Sequence, residues 1–117
     1  MDNLNIHLFN PFMPGEEFSN YTEEALENYI IHGLPPGGFL QAVLVGDLYL
    51  AVARADHWNA QSLGKIVEWI RNNAPKACYS DCQNYDVIDT WYDDVDNVRT
   101  KYVEKLSKEQ MWQKLND

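Results

Sequence analysis

The stretch that decides the fold is His32–Leu44, HGLPPGGFLQAVL. Two prolines run into two glycines, and a nearly unbroken apolar run follows. Such a string either cradles a phosphate at the mouth of a helix or turns a corner between two helices. A P-loop needs GxxxxGK[ST], and a dinucleotide site needs GxGxxG after a strand. The stretch has neither pattern and no lysine, and it sits in a block that would repel phosphate, since Met1–Ala53 holds seven acids and no Lys or Arg. It therefore reads as a corner. Gly33 can take the left-handed conformation that ends a helix, Leu34 can pack back on the last turn, and Pro35 forbids continuation. Pro36 suits the first turn of the next helix, where a missing N–H costs little.

Upstream of the corner, a helix is expected from Thr22. Its hydroxyl can cap, Glu23 and Glu24 suit the positive end of the helix dipole, and Leu26, Tyr29 and Ile30 form an apolar stripe. Before it, Leu4, Ile6 and Leu8 alternate with polar residues, a weak strand signal. Pro11, Pro14 and Gly15 then break the chain. Residues 1–21 read as an extended arm carrying at most one short strand.

Downstream, Phe39–Leu44 reads as a buried helix, apolar nearly all round. A hairpin competes with it, because AVLV and LYLAV are β-prone and Gly46-Asp47 could form a two-residue turn. The helix is preferred, with Asp47 opening a second short helix through Ala53. Asp56 can cap HWNAQSLGKIVEWIRNN, where Leu63, Ile66, Val67 and Ile70 share one face, and Asn72, Asn73 and Pro75 end it. In the later segment NYDVIDTWYDDVDNVRTKYVEKL, Ile88, Trp91, Val95, Val98, Tyr102 and Leu106 recur every three or four residues. Asp86, Asp89, Asp93 and Asp96 repeat on another face with Asp94 beside them, a ladder ~15 Å long at ~1.5 Å per residue. Ser107 to Gln110 fits a capping box, so a short last helix should start there. The expected fold is all-α: one domain over 1–117 of five or six helices. It comprises the arm (1–21), a helical core (22–76), and an acidic helix followed by a basic C-terminal helix (77–117).

Composition narrows the function. A 117-residue chain that is 45% hydrophobic can fold as one domain but holds no second core. No apolar run reaches the 18 residues of a membrane span, and the N-terminus lacks a basic signal region. Cytoplasm, a host cytoplasm given the resemblance below, is the expected setting, with Cys78 and Cys82 as reduced thiols. The net charge of −9 is concentrated in two blocks, −7 over Met1–Ala53 and −6 over Ala77–Asn97. Arg54–Lys76 and Val98–Asp117 each carry +2. Direct nucleic-acid binding is disfavoured, because phosphates need a basic face.

No metal or cofactor site is expected. An EF-hand loop begun at Asp94 would put Val98, Arg99 and Lys105 at positions 5, 6 and 12, which fails. Zinc would need two ligands beyond the cysteine pair, and the three histidines stand singly. His57 beside Asp56 is no relay, since adjacent helical residues do not face each other. No catalytic residue is assigned, and an enzyme is not expected.

The aspartate ladder has two readings. It solvates a small protein, or it presents negative charge at near-regular intervals to a basic partner. Like charges at i, i+3 and i+4 cost a helix a few tenths of a kcal/mol each, so solubility alone does not require the arrangement. Candidate contact residues are Asp81, Asp86, Asp89, Asp93, Asp94 and Asp96, with Glu16, Glu17, Glu23, Glu24 and Glu27 as a second patch.

Residues 29–80 resemble a family of small tailed-bacteriophage proteins. The resemblance is carried by YIIHGLPPGGFLQAVL, DLYLAVARAD with Asn59 after it, IVEWIRNNAP and CYS, a little under half the chain. Gly46 stands where the family has asparagine, and Ser80-Asp81 replaces Gly-Ser. The resemblance implies a helix at DLYLAVA and assigns no catalytic residue. By analogy it implies a phage protein of the anti-defence type (anti-CRISPR or anti-restriction). The partner expected is a host protein or ribonucleoprotein with a basic surface, bound by a monomer or homodimer. A virion-assembly or replication part acting by self-association is the alternative.

Overall fold

The chain turns its corner at Gly33, as the glycine and prolines require. A computed structural model describes Leu8 and residues 20–115. The expectations for the arm, and for Glu16 and Glu17 in it, lie outside the described residues except at Leu8. Six α-helices follow in order: α1 (Asn20–His32), α2 (Gly38–Leu44), α3 (Leu48–Arg54), α4 (His57–Asn73), α5 (Asp86–Asp93) and α6 (Val98–Leu115). Short 3-10 turns at Lys76–Cys78 and Val95–Asn97 lie between them. The fold is all-α, with no strand among the described residues.

Helix α1 ends on Gly33 at φ 78°, and the Gly33 amide donates to the Tyr29 carbonyl at 2.9 Å. A left-handed residue after a helix satisfies one of its orphan carbonyls. Leu34, expected to fold back, is instead 52% exposed, although its amide does reach back to the Asn28 carbonyl at 3.2 Å. Helix α2 starts two residues after Pro36, with Gly37 as its cap, and the Gln41 side-chain amide donates to the Pro36 carbonyl at 2.7 Å. Thr22, expected to cap α1, lies inside it. Its buried hydroxyl donates to Asn59 Oδ1 on α4 at 2.8 Å.

The hairpin alternative is excluded by the turn after α2. Gly46 at φ 78° donates to the Val43 carbonyl, and Asp47 donates to Ala42, the paired bonds of a Schellman cap. The next two carbonyls, Leu44 and Val45, accept from Ser80 and Gln83 at 2.8 and 2.7 Å. A Cβ on Gly46 would sit about 3.1 Å from the Asp81 carbonyl oxygen, so close backbone approach also demands glycine here. Asp47 then caps α3 through Leu50, and Asp56 caps α4 through Asn59, both as the sequence implies.

The core gathers Leu26, Tyr29 and Ile30 of α1, Leu40 and Leu44 of α2, Ile66 and Ile70 of α4, and Ile88 and Trp91 of α5. Trp91 is its largest member and only 2% exposed. Its indole N–H donates to the Tyr29 and Ile30 carbonyls at 2.9 and 3.2 Å, covering Ile30 at the open end of α1 and adding a second donor to Tyr29, which already accepts from Gly33. The Tyr29 hydroxyl donates in turn to the Cys78 carbonyl at 2.7 Å, so the buried polar atoms are satisfied. Burial pushes the Tyr29 phenol well above its ordinary range, with the Cys78 thiol adding to the rise, so it stays a neutral donor.

The largest correction concerns residues 86–106, expected as one apolar-striped helix. The chain breaks at Asp94, Asp96 and Asn97, which all have positive φ between 55° and 59°. Asp and Asn tolerate the left-handed region better than other side-chain-bearing residues, and four of the five residues in DDVDN are of these types. Two contacts hold the break. Arg99 donates to the Trp91 and Tyr92 carbonyls at 2.9 and 3.1 Å, closing α5 where cations suit the dipole. Asp94 accepts from both the backbone amide and the hydroxyl of Thr100, capping α6 from outside. Val95 and Val98, expected in the stripe, are exposed as a result. The second correction is that α6 continues through Ser107: without a breaker just before it, a capping-box pattern does not start a new helix.

Candidate functional site

The break divides the acidic ladder. Asp86, Asp89 and Asp93 remain on α5, where 100° per residue puts them within about 60° of one another. Ile88 and Trp91 occupy the opposite side and face the core, so the acids face outward by construction. Asp96 sits on the following 3-10 turn. All four are exposed. None of the four carboxylates has a hydrogen-bond or ion-pair partner among the described residues. From Asp86 to Asp93 the rise is ~10 Å, which spaces three charges at ~5 Å. One DNA strand carries a phosphate every ~3.4 Å, so α5 presents roughly two-thirds of that linear density.

Of the other sequence candidates, Asp94, Asp81 and Glu27 are engaged within the fold. Asp94 is half-buried and committed to Thr100, whose hydrogen bonds hold its carboxyl below the ordinary carboxylate range. Asp81 pairs with Arg71 at 2.5 Å, and the Arg71 guanidinium lies 5.4 Å from the Tyr79 ring centre. The Tyr79 side chain and then Asp81 raise the Arg71 pKa, so the cation is fully formed. On α1, Glu24 is exposed, Glu23 is half-buried, and Glu27 accepts from the Leu8 backbone amide at 3.3 Å. The second patch therefore does not form one surface with α5 through any described contact.

Asp56 is a helix cap, and the His57 ring stands edge-on to Trp58 at 5.7 Å. Among the described residues no three His, Cys, Asp or Glu side chains cluster as a metal site. Both cysteines are free thiols: Cys78 is buried, with its pKa pushed up to about 12 by burial, and Cys82 is exposed beside the Ser80 hydroxyl at 3.4 Å. No helix among the described residues is long and apolar enough to cross a membrane.

No protein-family model, curated protein or solved structure matches this chain. The reading of the site therefore rests on its own residues.

Sequence reasoning missed one feature. A cleft of about 270 Å³ opens between α2, α3, α4 and the Tyr79–Asp81 segment. Its floor is apolar, formed by Leu44, Ala51, Leu63 and Ile70 among others, and Asp47, Arg71 and Asp81 stand at its edge. Val67, assigned by periodicity to the core, is 39% exposed and lines the cleft instead. The signal was the pairing of small residues, Ala42, Gly46 and Ala51, opposite that face: they leave volume that the larger neighbours do not fill.

Proposed function

We propose that this protein is a non-enzymatic binding protein that presents the α5 acidic face to a basic surface on a macromolecular partner. In the phage setting implied by the sequence resemblance, the partner is a host protein or ribonucleoprotein that handles nucleic acid. Occupation of its basic surface inhibits it in the anti-CRISPR or anti-restriction manner. The observation that carries the reading is the set of four exposed carboxylates at Asp86, Asp89, Asp93 and Asp96, without a partner among the described residues. Asp94 is removed from the contact set, since it holds α6.

Like charges gathered on one face repel each other; the helix dipole favours Asp86 and Asp89 in the first turn of α5, but not Asp93 in its last turn or Asp96 beyond it. A basic partner turns that repulsion into attraction, speeds encounter, and rejects acidic competitors. The test is affinity capture from a bacterial lysate, comparing the wild-type protein with Asp86→Lys/Asp89→Lys/Asp93→Lys. The expected result is one nucleic-acid-handling complex captured by the wild type, released by added duplex DNA, and missing with the variant. Identical capture by both proteins, with a native circular-dichroism spectrum for the variant, contradicts the proposal.

A further inference from the structure

The apolar cleft and the far end of α6 are complementary in polarity and charge. On α6, Lys101, Lys105, Lys108, Met111 and Leu115 fall along one side at helical spacing, with Glu104 among them, so the three lysines leave that side net basic. Met111 and Leu115 are 61% and 82% exposed, one turn apart in the i, i+4 arrangement by which a helix inserts anchors into a groove. The cleft holds about 270 Å³. A ~150 Å³ apolar cavity accepts a benzene ring, so there is room for roughly two side chains. Asp47 and Asp81 at the edge oppose the single guanidinium of Arg71, leaving the mouth net acidic, while Lys108 lies one turn before Met111.

We propose that the cleft receives the Met111–Leu115 end of α6 from a second copy of this chain, each copy inserting its helix into the other. Both halves of the contact belong to one sequence, and the basic approach to the helix end suits the acidic mouth. One helix end in one cleft falls short of the ~1,200 Å² typical of a stable interface, and reciprocal insertion doubles the area. A two-fold arrangement also closes on itself, whereas one-way insertion would propagate into chains. The proposal uses none of the α5 aspartates, so it stands independently of the acidic-face reading.

Sedimentation equilibrium of the full chain between about 1 and 300 µM reads it directly, spanning the weak-affinity range. The expected average mass climbs from 13.6 kDa to twice that and stops. Leu115→Glu and Val67→Glu should each weaken dimerisation at least ~10-fold. Mixed in equal amounts, the two variants regain one intact contact and should dimerise more strongly than either alone. Leu48→Glu replaces Val67→Glu if the latter loses its helical spectrum, since Leu48 lines the cleft and is 60% exposed. A wild-type chain monomeric at every concentration overturns the proposal. So does a mass that keeps rising past the dimer, a variant that dimerises like wild type, or a mixture no better than its components.

Discussion

Replacing Gly33 with alanine should damage the joint between α5 and α6, some sixty residues away in sequence. Two costs arise. Alanine at φ 78° is strained, by about 1–2 kcal/mol for the left-handed region. A Cβ there would also stand 2.7 Å from the Arg99 Cζ and Nε atoms. The guanidinium is the free end of a flexible chain and swings aside cheaply, but it then abandons the Trp91 and Tyr92 carbonyls. A hydrogen bond from a charged donor contributes about 1.5–3 kcal/mol, and Arg99 is half-exposed, so the lower figure applies. The total for Gly33→Ala is about 3 kcal/mol, a fall of ~12 °C in Tm at ~4 °C per kcal/mol for a chain of this length. In an Arg99→Ala background the second cost has already been incurred, and Gly33→Ala should cost only about 1.5 kcal/mol. Urea denaturation of the four proteins, followed by circular dichroism, measures the coupling. Strict additivity of the two substitutions would refute the claim that Arg99 rests on Gly33.

Other consequences are equally direct. Trp91→Phe leaves the Ile30 carbonyl without its buried donor, Tyr29 keeping the Gly33 amide, and should destabilise by about 2 kcal/mol in the same assay. Asp94→Ala should weaken the α6 cap by about 1 kcal/mol at neutral pH. The Asp94 carboxyl is held below its ordinary value, so its contribution is present above the unfolded pKa and disappears as pH falls through the lower folded one. The variant should therefore lose less stability than wild type when Tm is followed from pH 5 downward. A thiol reagent at pH 8 should modify Cys82 rapidly and Cys78 only after unfolding; equal rates would contradict the burial of Cys78.

Local chemistry made most of the helices legible. Gly33 with Pro35, Asp47 and Asp56 act within a few residues of themselves, and stop and cap signals of that kind need no tertiary information. Periodicity misled where a competing backbone preference intervened. Val95 and Val98 fit the stripe of Ile88 and Trp91, but the left-handed Asp94, Asp96 and Asn97 prevail, aided by Arg99 and Thr100. Thr22 looked like a cap because the sequence does not show Asn59 arriving on α4 to accept its hydroxyl. The acidic face was half legible: composition found the aspartates, and only the fold separates the free ones from Asp81 and Asp94. The small residues Ala42, Gly46 and Ala51 were the one sequence signal of the cleft, which forms only where they meet a face of α4 in the fold.

The most direct measurement of the central claim is the association rate of the captured partner with this protein, as a function of salt and of the α5 aspartates. Raising ionic strength from about 0.1 to 1 M shortens the screening length from ~10 to ~3 Å. The wild-type rate should fall at least ~10-fold over that range. Asp86→Lys/Asp89→Lys/Asp93→Lys should already be slow at low salt and nearly insensitive to further addition. A wild-type rate unchanged by salt, or a variant that associates as fast as wild type, would contradict the assignment of α5 as the binding face.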